Sequence, residues 1–194
     1  MRSGTIRILL VVAAVGVGLV LMFMPRQSAS SRSKVDGVEL VQATDAQKAA
    51  EKVMNGMNPM EGIMELRAIV ERDSMNIEAQ LYLARFSVQS GQIDKAIERY
   101  EWITRLVPDS LDGWWELAQV QFESGNFPDA EPLFAHVLEM DPAVTNAMFF
   151  RGKCREMMGD STGAIALYAA FLPYAPDTAI HTGVERIIAN LKKD

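Results

Sequence analysis

The sequence predicts an all-α protein: a stack of helix-turn-helix units, preceded by one transmembrane helix and closed by a C-terminal capping helix. Three observations predict it. The chain is self-similar at a period of 34 residues between 77 and 178, an uncharged apolar run extends from Ile8 to Met24, and apolar residues recur at helical spacing after Pro176. Its 194 residues, 49% hydrophobic and 23% charged, suffice for one domain with a real core and exclude two large domains or wholesale disorder.

Charge is unevenly placed. Residues 1–35 carry Arg2, Arg7, Arg26, Arg32 and Lys34 and no acid, which leaves 14 basic against 25 acidic residues in the remainder. A body of about −11 repels phosphate backbones, so nucleic acid is excluded as a general partner, and the basic tip reads as the flank of a membrane segment.

Residues 1–7 form that tip. Residues 8–24, ILLVVAAVGVGLVLMFM, would span about 26 Å as a helix, close to a hydrocarbon core of about 30 Å, with Arg7 and Arg26 able to snorkel at its ends. The alternative is a cleaved secretory signal with a processing site near Ser28, Ala29 and Ser30, although the run exceeds the usual apolar region of such signals. An uncleaved anchor is the reading taken, in an inner membrane, with the tip in the cytoplasm and the body exported to the periplasm. Signal cleavage would instead give a secreted or periplasmic protein. Residues 25–43 contain the serine-rich stretch RQSASSRSK and read as a flexible tether.

The repeat sets the fold. Segments 77–110, 111–144 and 145–178 align without gaps. Ala84, Ala118 and Gly152 stand at the eighth position, Gly91, Gly125 and Gly159 at the fifteenth, and Ala96, Ala130 and Ala164 at the twentieth. Small residues at the eighth and twentieth let two antiparallel helices approach, and the glycine between them supplies the positive φ that ends the first helix. Tyr100, Phe134 and Tyr168 follow at the twenty-fourth position, Ile103, Val137 and Phe171 at the twenty-seventh, and Pro108, Pro142 and Pro176 stop the second helix. Pro132 falls in or just beyond the first turn of its helix, where a local irregularity is expected.

With Trp114, Leu117 and these endings, the pattern resembles the tetratricopeptide repeat over 102 residues, with departures at Gln80, Met148, Arg151, Ser87, Gln121 and Arg155. The resemblance implies a right-handed α-solenoid. Residues 44–76 read as a degenerate first repeat, with Gly62 where alanine is expected. Residues 177–194 read as the capping helix, with Asp177 as N-cap and Lys192 and Lys193 at its C-terminus.

No catalytic site is legible. His136 and His181 have no partners at metal-ligand spacing, so neither a metal nor a cofactor is expected. Cys154 between Lys153 and Arg155 reads as an inert packed thiol rather than a redox centre, and a thiol-dependent enzyme is the lesser alternative. Met54, Met57, Met60 and Met64, at spacings of three and four, read as core filling.

The resemblance further implies a concave groove lined by the first helices, and hence a non-catalytic adaptor, scaffold or assembly factor, as many tethered relatives in the bacterial cell envelope are. The groove positions implied are Leu81, Arg85 and Val88 in one repeat, Trp115, Gln119 and Phe122 in the next, and Phe149, Lys153 and Glu156 in the third. Trp115 and Phe149 are expected to be exposed anchors for a protein or peptide partner, since Trp114 and Met148 already fill the packing positions, while Arg85 and Lys153 select acidic groups. The alternatives are that the adjacent repeat or residues 35–43 cover these anchors, or that the groove serves self-association into a homo-oligomer. The lysine and asparagine clamp that some relatives use for C-terminal carboxylates is absent.

Overall fold

The computed structural model describes residues 43–56 and 58–193; the basic tip, the 8–24 run and the tether up to residue 42 lie outside them. Among the described residues there are nine α-helices, one short 3-10 turn and no strand, and no helix is long and apolar enough to cross a membrane. They fall into two compact units that divide between Ser124 and Gly125.

The first unit holds α1 (Asp45–Met54), α2 (Pro59–Arg72), α3 (Ile77–Gln89), α4 (Ile93–Leu106) and α5 (Leu111–Glu123). The second holds α6 (Phe127–Met140), α7 (Asn146–Met157), α8 (Ser161–Phe171), the turn Leu172–Tyr174 and α9 (Thr178–Leu191).

The period of 34 is visible in the chain's punctuation. Gly91, Gly125 and Gly159 adopt φ of 72°, 81° and 82°. After α3, Gln92 N–H donates to Ser87 O and Gly91 N–H to Val88 O; after α7, Asp160 N–H donates to Arg155 O and Gly159 N–H to Glu156 O. Both are the two-bond helix stop that a left-handed residue permits, and a side chain there would be strained. The opposite turns repeat too, with Asn76, Ser110 and Val144 donating their N–H to Asp73, Val107 and Asp141. Asn76 and Ser110 then accept from Ala79 and Gly113 N–H as N-caps, each contributing about 1 kcal/mol. In the third repeat Val144 takes that place and is buried instead of capping.

Close approach is enforced by the small residues. Ala84, Ala96 and Ala118 in the first unit, and Ala130 and Ala164 in the second, are fully buried, as are Tyr100, Phe134 and Tyr168. A Cβ at Gly152 would lie 2.9 Å from the Tyr168 ring. The degenerate segment obeys the same register: α1 and α2 pack as a pair, and Ala50, Gly62, Leu66 and Ile69 are buried 34 residues before Ala84, Ala96, Tyr100 and Ile103. Glycine replaces alanine at 62 because a Cβ there would collide with the Ala49 carbonyl oxygen and come 2.6 Å from Val53 Cγ2. Its α1 begins with a reciprocal cap in which Gln47 N–H donates to the Thr44 hydroxyl and Thr44 N–H to Gln47 Oε1.

One expectation is corrected here. Met54, Met60 and Met64 are not core filling: they are 62%, 67% and 63% exposed, because the alanines of α1 and Leu66 and Ile69 of α2 already fill the contact between these helices. Pro132 is the sixth residue of α6, just beyond its first turn as expected, and the helix continues unbroken to Met140. Asp177 caps α9 as expected, accepting from Ile180 N–H at 2.8 Å.

Candidate functional site

The first helices of the first unit are joined by a polar ladder. Glu78 of α3 accepts from the Thr44 hydroxyl at 2.6 Å and from Gln47 Nε2 at 2.8 Å, and Glu116 of α5 accepts from Arg85 Nη2 at 2.8 Å and Nε at 3.0 Å. Tyr100 of α4 reaches the other oxygen of Glu116 at 3.3 Å. Burial works against the Arg85 charge, but Glu116 outweighs it and holds the guanidinium ionised; burial and the same carboxylate hold the Tyr100 phenol protonated.

Between α3 and α5 lies a cleft of about 220 Å³, lined by Arg85, Val88, Gln89, Tyr100, Glu116, Gln119, Val120 and Glu123. It brings together three of the expected groove residues, Arg85, Val88 and Gln119. Leu81 and Phe122 are half-buried elsewhere on these helices. Glu123 completes the lining of the cleft: burial and the neighbouring Glu116 raise its carboxyl above the ordinary range. Arg85 is not a free acid-selecting group, because Glu116 neutralises it.

Trp115 is 4% exposed and Phe149 is 1% exposed, so neither is a surface anchor. In the second unit the Phe149 ring lies 5.8 Å from Phe150, 5.4 Å from Tyr168 and 5.7 Å from Phe171, inside an aromatic core. The assignment of neighbours is reversed. Trp114 is half-buried, with its indole N–H donating to Pro108 O at 2.7 Å in an exposed turn, and Met148 is half-buried beside Phe149. Trp115 and Phe149 stand one helical turn before the small residues Ala118 and Gly152, so they share the face that packs.

Lys153 and Glu156 are half-buried and pair with each other at 2.8 Å, and Glu156 also accepts from the Tyr168 hydroxyl at 2.6 Å. Lys153 is thus matched internally, as Arg85 is. Buried Glu131 accepts from Arg151 at 2.8 Å and from Arg155 at 3.2 Å, and Arg155 also reaches Asp160 at 3.0 Å. These are the guanidiniums that flank Cys154 in sequence. Cys154 itself is fully buried; burial, with Glu131 adding, pushes its thiol up to about 12, the opposite of what a nucleophilic thiolate needs. His136 and His181 are partly exposed beside Glu139 and Glu185, and no group of metal-ligating side chains occurs among the described residues.

A tetratricopeptide repeat family model matches residues 83–135 and 117–179, which together span half of the chain. No curated protein matches it in sequence. Among solved structures, MamA AMB-1 is 23% identical with a TM-score of 0.64, covering 75% of this chain and 78% of its own. The MamA RS-1 ArsTM double mutant is 12% identical with a TM-score of 0.64, covering 78% and 94%. PcrH from Pseudomonas aeruginosa is 17% identical with a TM-score of 0.53, covering 60% and 91%. At these identities the likeness is one of fold.

Proposed function

We propose a function from this premise: the chain belongs to the tetratricopeptide repeat family. It works as a non-catalytic docking module, an adaptor, scaffold or assembly factor, whose first helices receive a segment of a partner protein. The observation that carries this reading is the cleft between α3 and α5, which offers hydrogen-bonding side chains, an apolar patch at Val88 and Val120, and the Glu123 carboxylate on a rigid two-helix frame.

The segment it takes is held by Gln119 and Val88 rather than by Trp115 or Phe149, and its cationic group meets Glu123. Residues 8–24 anchor the module in the inner membrane, with the repeats in the periplasm, and the 25–43 tether raises its effective concentration toward partners in the same bilayer.

The test is crosslinking capture from native membranes with the full chain and with a Val88→Glu, Gln119→Arg double variant that retains its helical circular dichroism. Specific partners disappear in the variant if the cleft is the site; unchanged capture refutes the assignment. Extraction of the protein by alkaline carbonate, or protection of the repeats from protease added to spheroplasts, refutes the anchor or its orientation respectively.

A further inference from the structure

The first unit carries a second, larger cleft, which meets the first only at Gln89. Helix α3 packs against both α2 and α4, and the space between those two second helices is about 780 Å³. Its floor is apolar, with Leu83 and Phe86 of α3 and Ile63 and Val70 of α2; Met60 forms an exposed lip. Its walls are cationic: Arg67 projects from α2, and Lys95 and Arg99 from α4, against the single carboxylate of Glu71.

None of these three cations has a carboxylate within ion-pair distance among the described residues. Arg99 donates to Gln80 Oε1 at 2.6 Å and Lys95 to Gln92 Oε1 at 2.8 Å. Elsewhere in the unit Arg85 is matched by Glu116, and Lys52 by Glu61 and Glu65. Arg67 and Arg99 are close enough to repel: burial and the Arg67 charge both disfavour the ionised Arg99 guanidinium. A protein of net charge −6 thus concentrates three cations around an apolar floor, offset only by Glu71 on the wall and Glu98 near Arg99, with no carboxylate among the described residues in ion-pair contact.

We propose that this cleft is a second docking site, distinct from the one between α3 and α5, and that it takes an acidic amphipathic helix of a partner protein. The carboxylates answer Arg67, Lys95 and Arg99, and the apolar stripe covers Ile63, Val70 and Phe86 with Met60 adapting at the rim. A nucleic acid would offer the negative charge but no apolar stripe for that floor.

Fluorescence anisotropy of the full-length chain tests this with two labelled synthetic helical peptides, one with glutamates around a leucine stripe and one with those glutamates replaced by lysines. The glutamate peptide binds, binding weakens with added salt, and the lysine peptide does not bind. An Arg67→Glu, Lys95→Glu double variant weakens binding by about tenfold or more, and Arg67→Gln alone by less. Both positions are exposed, so folding is not at stake, and circular dichroism checks it. The Val88→Glu, Gln119→Arg variant binds the peptide as the natural protein does. The proposal is overturned if the glutamate peptide fails to bind at up to about 1 mM, if the charge reversal leaves its affinity unchanged, or if the lysine peptide binds better. Loss of binding in the Val88, Gln119 variant would place the peptide in the other cleft and overturn this proposal while leaving the proposed function standing.

Discussion

Phe149→Ala separates a core residue from a binding anchor. The ring is 1% exposed and has three aromatic neighbours with centroids between 5.4 and 5.8 Å, edge-on to Phe150 and tilted against Tyr168 and Phe171. Removing a buried phenyl ring costs about 3–5 kcal/mol in lost transfer energy and cavity formation. The upper half of that range is expected here, because the ring pairs contribute beyond area burial and Tyr168 cannot readily collapse inward while its hydroxyl is held by Glu156 at 2.6 Å. A small domain is stable by about 5–15 kcal/mol, so a large share of its stability is at risk. The assay is urea unfolding followed by far-UV circular dichroism. With a slope of about 2 kcal/mol per molar, a loss of about 4 kcal/mol lowers the midpoint by about 2 M. A loss below about 1 kcal/mol, together with reduced partner capture, would refute the core assignment and restore Phe149 as an anchor.

Two further outcomes follow from the same geometry. Gly152→Ala gains about 1 kcal/mol of helix propensity but sets a Cβ 2.9 Å from the Tyr168 ring; overpacking of about 1–3 kcal/mol outweighs the gain, and a raised melting temperature would contradict this. Asp160 is held below the usual carboxylate range by the Gly163 N–H and then by Arg155. Its contribution is therefore complete above the unfolded value of about 3.9 and is lost as pH falls through its lower folded value. Acid melts of Asp160→Ala should show a shallower decline below about pH 4 than the natural protein does, and identical slopes would count against the pairing.

The helix pairs, their period and their stops are legible in the order of residues. These depend on local chemistry: a glycine with φ of 72° to 82° is required wherever a first helix must turn back, and alanine or glycine wherever two backbones touch. The same arithmetic made the degenerate repeat legible, since Gly62, Leu66 and Ile69 keep the spacing of Ala96, Tyr100 and Ile103. Which neighbour on a helix turns inward was not legible from family position alone. Trp115 and Phe149 are one residue and 100° from Trp114 and Met148, and both pairs adjoin the small eighth residue, so packing against other helices decides between them.

Tertiary structure alone decided the electrostatics. Arg85 looks free in sequence, but Glu116 stands 31 positions away and the fold brings it to 2.8 Å, whereas Lys153 pairs with Glu156 only three residues along its own helix. Arg155 adjoins Cys154 and Arg151 stands three residues before it, but Glu131, 20 and 24 residues away, takes both guanidiniums. Arg67, Lys95 and Arg99 lie on two helices whose spacing α3 sets, so their convergence over an apolar floor has no linear signature. Helical period and turn chemistry are written in neighbouring residues, whereas a charge acquires its meaning from whichever side chain the fold puts within a few ångströms.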